Sequence, residues 1–154
     1  MWTALKVILG LAVVVVATYL AIVAGLLFEL WPTTRNDHPL TVSAETIEQL
    51  RALRAKPKFL DETDLLYPGA PNENVRVRAE APLNALLDRL VLELPDNPKK
   101  SFVLGCFKDT LRQFNGFDTE EQERMGRYLE EIMDILGIQS SEKLISVWRY
   151  RFPL

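Results

Sequence analysis

Apolar positions first run unbroken along this chain and afterwards recur every three or four residues. Val7 to Phe28 is a stretch of twenty-two residues without a charge, relieved only by Thr18 and Tyr19. At about 1.5 Å of rise per residue it makes a helix of roughly 33 Å, enough to cross a hydrocarbon core of about 30 Å once. Trp2 and Trp31 lie just outside its two ends, where indole rings favour the headgroup layer, and Pro32 stops the helix. The pattern predicts a single N-terminal transmembrane helix, a signal anchor over 1–31. The rival is a cleaved secretory signal cut after Ile22-Val23-Ala24, but the run continues past that point and exceeds the roughly 7 to 15 residues of a processed signal. Lys6 and the terminal amine on one flank, against Arg35 on the other, put the rest of the chain on the outer face of the membrane.

The remaining pattern is helical. A polar stretch, 32–42, holds the sole His38 and reads as a tether; 43–154 reads as one soluble domain. Ser43 is placed to cap a helix to about Lys56, with Ile47, Leu50 and Leu53 at helical spacing. After Pro57 comes a loop pinned by Phe59, Leu65, Leu66 and Tyr67. Val75 to Leu94 carries a stripe of Leu83, Leu86, Leu87, Leu90, Val91 and Leu94, interrupted by Pro82, which either kinks or divides it. Val75-Arg76-Val77-Arg78 alternates, leaving a short strand open there. Asn97 and Pro98 start the next helix, to about Phe114, and bury Val103, Phe107, Thr110, Leu111 and Phe114. Asp118 and Glu121 form the pattern of a capping box before a face of Met125, Tyr128, Leu129, Ile132, Met133 and Leu136, with Gly137-Ile138 as its stop. Ser140 or Ser141 opens a last short helix carrying Leu144, Ile145, Trp148 and Phe152 inward. The expected fold is all-α, one N-terminal span followed by a compact domain of four to five helices.

The formal charge of −3 belongs to the domain, since Lys6 and Glu29 cancel, and its basic residues form no run. A phosphate-tracking surface normally clusters Lys and Arg, so nucleic-acid binding is not expected. One His and one Cys remove most nucleophile and base pairs and nearly all structural zinc patterns. Cys106, unable to form an internal disulfide, reads as a small buried hydrophobe. Glycine-rich phosphate loops, a nucleophile elbow and a His-Glu-x-x-His helix are all missing from the sequence. The acids after Asp118 read as a solvated face braced by Glu120–Arg124 and Glu123–Arg127 pairs. No enzyme activity, cofactor, metal or small-molecule substrate is expected.

The run Asp118-Thr-Glu-Glu, then Tyr128-Leu-Glu-Glu-Ile-Met-Asp-Ile-Leu-Gly-Ile138, two serines and a late Trp148 and Tyr150, resembles the ending of a small all-helical bacterial family of unknown function. In layout the resemblance extends over 41 to 152. Members of such families resemble immunity proteins encoded beside secreted toxins, which implies a protein partner; no catalytic residue is carried over from the resemblance. The hydrophobic anchor departs from the soluble members and suggests an envelope-facing variant. Two functions follow. The first is a membrane-tethered periplasmic binding protein in the bacterial inner membrane, an immunity protein that occludes a toxin. Its candidate contacts are Glu130, Glu131 and Asp134 on an acidic face, and Arg149, Tyr150 and Arg151, residue types enriched in binding hot spots. The second is an accessory subunit of an envelope complex, its anchor packing through Ala17, Ala21 and Gly25 on one face.

Overall fold

The long apolar run folds as a single helix, α1 (Trp2–Glu29). The computed structural model describes residues 2–29, 37–61 and 67–150, with side chains in α1 only for Lys6 and 10–26. Two units make up the chain, Met1–Thr33 and Thr34–Leu154. In the first, the described side chains from 10 to 26 carry no charge, are apolar on every face of α1 and, apart from half-buried Val23, are exposed; the Thr18 hydroxyl turns back to donate to the Val14 carbonyl, 2.9 Å away. Among the described residues no helix is long and apolar enough to cross a membrane. The side chains described without interruption in α1, Gly10 to Leu26, number seventeen, fewer than the about 20 a span needs. The side chain of Trp2 and all of Trp31, the expected interface markers, lie outside the described residues.

The second unit consists of α2 (Ala44–Ala55), α3 (Glu73–Glu93), α4 (Lys100–Gln113), α5 (Thr119–Ile135) and α6 (Leu144–Arg149), with no strand among the described residues. The expected all-α domain of four to five helices is therefore present. Helix α2 packs on α3 and α5, α3 on α4, and α6 on α4 and α5. At the centre the Phe59 ring stacks on Phe114 (6.0 Å between centroids) and meets Tyr128 edge-on (5.3 Å). Leu50, Leu83, Leu87, Leu90, Phe107, Leu129 and Ile132 close around them, fully buried.

Local chemistry accounts for most element boundaries. Ser43 and Thr46 cap α2 reciprocally, each side-chain oxygen accepting the other's backbone N–H (3.1 and 3.3 Å). The Asn72 side chain accepts from the Val75 N–H at 3.0 Å and starts α3 there. This corrects the strand left open at Val75–Arg78: Arg76 pairs with both Glu73 and Glu80, positions that only a helical turn brings together. Nor does Pro82 divide the helix. Ala79 on one side of it and Leu83, Leu86 and Leu87 on the other are buried on one face, and that packing outweighs one missing hydrogen bond. Helix α5 stops in a Schellman motif: Ile138 N–H donates to the Met133 carbonyl (2.8 Å) and Gly137 N–H to that of Asp134 (3.2 Å), with Gly137 at φ +66°.

The starts of α4 and α6 differ from the sequence pattern, and α5 starts after Asp118 as expected but without the expected cap. Helix α4 begins at Lys100 rather than Pro98, because its cap comes from Asp37, 64 residues away. The Asp37 carboxylate accepts from the Ser101 N–H (2.9 Å) and hydroxyl (2.8 Å). Pro39 bridges to Lys99, and Leu40 N–H donates to the Pro98 carbonyl at 2.7 Å. Residues 37–40, read from sequence as tether, are thus fixed to the domain. At α5 the Asp118 side chain makes no capping bond, so the expected box does not form; its other member, Glu121, is buried beside Tyr67. Helix α6 starts at Leu144, after Glu142 and Lys143 adopt left-handed φ of 52° and 69°. An ion pair from Glu142 to the buried Lys100 holds that turn.

The loop between α2 and α3 is pinned at both described ends. Phe59, at φ +58°, donates its N–H to the Tyr128 hydroxyl (3.1 Å) and accepts from the Ala70 N–H (3.0 Å). Gly69, at φ +81°, lies so close to Asp61 that a Cβ would come within 2.9 Å of its nitrogen. Leu65 and Leu66, expected anchors of this loop, lie outside the described residues.

Candidate functional site

Helix α5 presents the predicted acidic residues, and the hundred-degree step between neighbours on a helix separates them. Glu130 faces α6, where its carboxylate lies 3.5 Å from Arg149 and 4.0 Å from Arg127. Arg149 reaches over Gly126, where a Cβ would come 2.8 Å from the nearer guanidinium nitrogen. Tyr150, next in the chain, is 76% exposed. Asp134 is exposed, one turn beyond Glu130. Glu130, Asp134, Arg149 and Tyr150 therefore belong to one end of the α5–α6 surface. Arg151 lies outside the described residues, as does Phe152. Trp148 is core, as the spacing predicts, its indole N–H donating to the Asn115 side chain at 3.2 Å.

Glu131 points elsewhere. It lines a cavity of about 280 Å³ between the end of α2 and the middle of α5, together with Leu53, Lys56, Pro57, Lys58, Arg124 and Tyr128. Arg124, 9% exposed, places its guanidinium 4.2 Å from the Tyr128 ring centroid and 6.0 Å from that of Tyr67. The Glu120–Arg124 surface pair expected from spacing is replaced by this buried stack. Lys58 is 1% exposed and donates to the carbonyls of Arg54 (3.0 Å) and Lys56 (2.8 Å), with Glu80 4.0 Å away. Burial pushes the Lys58 ammonium below its ordinary pKa, against the pull of Glu80. Sequence reasoning missed Lys58, Arg124 and Tyr128 as a group. Lys58 sits in a helix-ending Lys-Pro-Lys run and Arg124 amid surface acids, so only the fold brings them together.

A more open cavity of about 470 Å³ lies where residues 37 and 38 meet the ends of α4 and α5, lined by Asp37, His38, Lys100, Gly137, Gln139, Ser140 and Glu142. Burial raises the Asp37 carboxyl, but the two hydrogen bonds from Ser101 outweigh it and hold the group below its usual range.

The model of a domain of unknown function, DUF4844, matches residues 41–153. The chain belongs to the DUF4844 family. Within this DUF4844 domain lie all five helices of the second unit and every predicted contact residue; α1 and the Asp37 cap precede the matched residues. A crystal structure of a DUF3571 family protein from Acinetobacter baumannii AYE is similar in fold to it, at 24% identity and a TM-score of 0.63, over 70% of this chain and 89% of that one. No curated protein matches the chain. The DUF4844 domain's single thiol, Cys106, is buried on α4, and burial pushes it up to about 11, as befits a packing residue. Among the described residues no cluster of His, Cys, Asp and Glu is arranged to hold a metal ion.

Proposed function

We propose that this DUF4844 protein is a membrane-tethered binding protein: α1 anchors it in the bacterial inner membrane, and the helical domain, on the periplasmic side, acts as an immunity protein by covering a secreted toxin. The observation that carries the tether is the surface of α1. Leu11, Val13, Val14, Val15, Val16, Leu20, Ile22 and Leu26 are all exposed on one helix, and an apolar surface of that extent is stable only against lipid or another apolar body. Val7 to Phe28 supplies the length.

Support for a protein partner comes from the α5–α6 end. Arg149 is seated on Gly126 and held by Glu130, so both charges are positioned before a partner arrives, with the exposed Tyr150 ring beside them. Arg and Tyr anchors held in place in this way lose little freedom on binding. The decisive experiment is capture from native membranes with residues 32–154 as bait. Recovery of one secreted enzyme, inhibited by added domain and released by Arg149→Ala with Tyr150→Ala, is the expected result.

The stripe of Ala17, Ala21 and Gly25, exposed along α1, favours a second reading in which the protein is an accessory subunit packing with other membrane helices. Replacing Ala17 and Ala21 with Leu separates the two. An immunity function survives the exchange, whereas assembly through the membrane does not.

A further inference from the structure

We propose that Asn115 is a site of spontaneous covalent modification, its side-chain amide converted to aspartate and isoaspartate by attack of the Gly116 nitrogen. Six asparagines occur in the chain, and the residue after each decides whether the following main-chain nitrogen can reach the amide carbon. Asp37, Glu73, Val75 and Ala85 carry a Cβ that crowds the approach, and Pro98 has no N–H to give up. Asn115 alone is followed by glycine. Nothing in the packing requires a glycine there: a Cβ on Gly116 would meet no atom within 4 Å outside its chain neighbours, and its φ is not left-handed.

The fold leaves both reacting groups open. Asn115 and Gly116 are exposed in the turn between α4 and α5, bracketed by bonds from the Phe114 N–H to the Leu111 carbonyl (3.0 Å) and from the Phe117 N–H to the Phe114 carbonyl (3.1 Å). Among the described residues the Gly116 N–H donates to no acceptor, so no hydrogen bond has to break before that nitrogen loses its proton. The Trp148 indole N–H, which can only donate, lies 3.2 Å from Asn115 Oδ1 and fixes which atom of the amide is the oxygen. Negative charge develops on that oxygen as the nitrogen adds to Cγ, and a donor already aimed at it lowers the barrier.

The atoms balance with one water in and one ammonia out. Hydroxide or water takes the Gly116 proton, the Gly116 nitrogen bonds to Asn115 Cγ, and the Cγ–Nδ2 bond breaks to release ammonia and leave a cyclic imide. Water then opens the ring. Cleavage of the new bond leaves aspartate, which keeps an oxygen for the Trp148 N–H; cleavage on the main-chain side leaves isoaspartate, which lengthens the main chain by a methylene and carries the carboxylate away from the indole. Trp148 is 3% exposed and fastens α6 to the α4–α5 turn, so the second product loosens α6. Arg149 and Tyr150 follow it directly, and the modification thus reaches the α5–α6 surface, although the chemistry does not depend on that surface having a partner.

The test is storage of the full-length protein in detergent at mildly alkaline pH, then mass spectrometry of the peptide 113–124 that trypsin releases, beside a synthetic peptide of the same sequence. The expected result is an amide-to-acid mass gain at Asn115, in two chromatographically separate products, at no less than about a tenth of the rate in the free peptide. A lower rate, or conversion spread evenly over the six asparagines, overturns the proposal. Gly116→Ala, which the open space around Gly116 tolerates, should slow the conversion by about tenfold or more, and an unchanged rate overturns the role of the Gly116 nitrogen. After storage the wild-type protein should melt below the variant, and identical melting overturns the consequence for α6.

Discussion

Lys58 is the least expected residue in the domain: a lysine with no exposure, placed where the chain leaves α2. Its ammonium satisfies two carbonyls that would otherwise be left at the helix's negative end, which is why a cation is tolerated there. Lys58→Met keeps the volume and removes both donors, so the carbonyls of Arg54 and Lys56 lose their partner. Urea unfolding should show a loss of about 1 to 3 kcal/mol. Glu121 gives the complementary case. Its burial raises its pKa, so its carboxyl is protonated more readily in the folded chain than in the unfolded one. Stability from this group is complete below its ordinary value of 4.5 and is lost as pH rises through the folded value. Glu121→Gln retains an acceptor for Tyr67 and has no proton to lose. Melting temperatures measured between pH 4 and 7 should therefore decline less with rising pH in the variant than in wild type, and equal slopes would exclude this account.

At the scale of elements, the periodicity of apolar residues was sufficient to locate every helix, because Leu50 and Leu53, Leu83 to Leu94, Phe107 to Phe114 and Met125 to Leu136 each lie on the face that spacing assigns them. The Gly137 stop was equally legible, since a left-handed glycine and the apolar residue after it act within one turn. The start of α2 was legible because its cap, Ser43, is local; Asn72, which caps α3 two residues before the periodic run at Val75, was not singled out. The start of α4 depends on Asp37, far away in sequence, and that of α6 on an ion pair to Lys100, so nothing near either start announces it. The same limit hid the α2–α5 cavity, whose residues come from positions 53 to 58 and 124 to 131. Asp37→Ala removes the α4 cap and should cost about 1 to 2 kcal/mol, while Asp37→Asn, which still accepts from the Ser101 N–H, should cost less. Because the Asp37 carboxyl is held below its ordinary value of 3.8, its stabilisation is present above that pH and fades as acid takes it through the folded value. Chemical denaturation of the two variants at pH 7 and pH 3 reads both effects.

For the whole molecule the governing contrast is between its two units. The second buries its large apolar side chains among its own helices, with Leu60, Val77, Leu92 and Tyr150 as scattered exceptions, whereas the first exposes apolar residues all round α1. Surface of that kind drives association in water, by roughly 25 cal/mol for each Å² covered. Removal of 1–33 should leave a protein that stays monomeric without detergent and keeps its helical circular dichroism, because Asp37 and the α4 cap remain in place. The full chain should sediment as a single small species only when detergent or lipid is present. A full-length protein that is monodisperse in plain buffer would mean that α1 needs no membrane, and the tether would fall with it. If α1 inserts in the proposed orientation, protease added to spheroplasts should digest the domain without detergent. Protection until the membrane is dissolved would reverse the orientation and remove the domain from the compartment where a secreted toxin arrives.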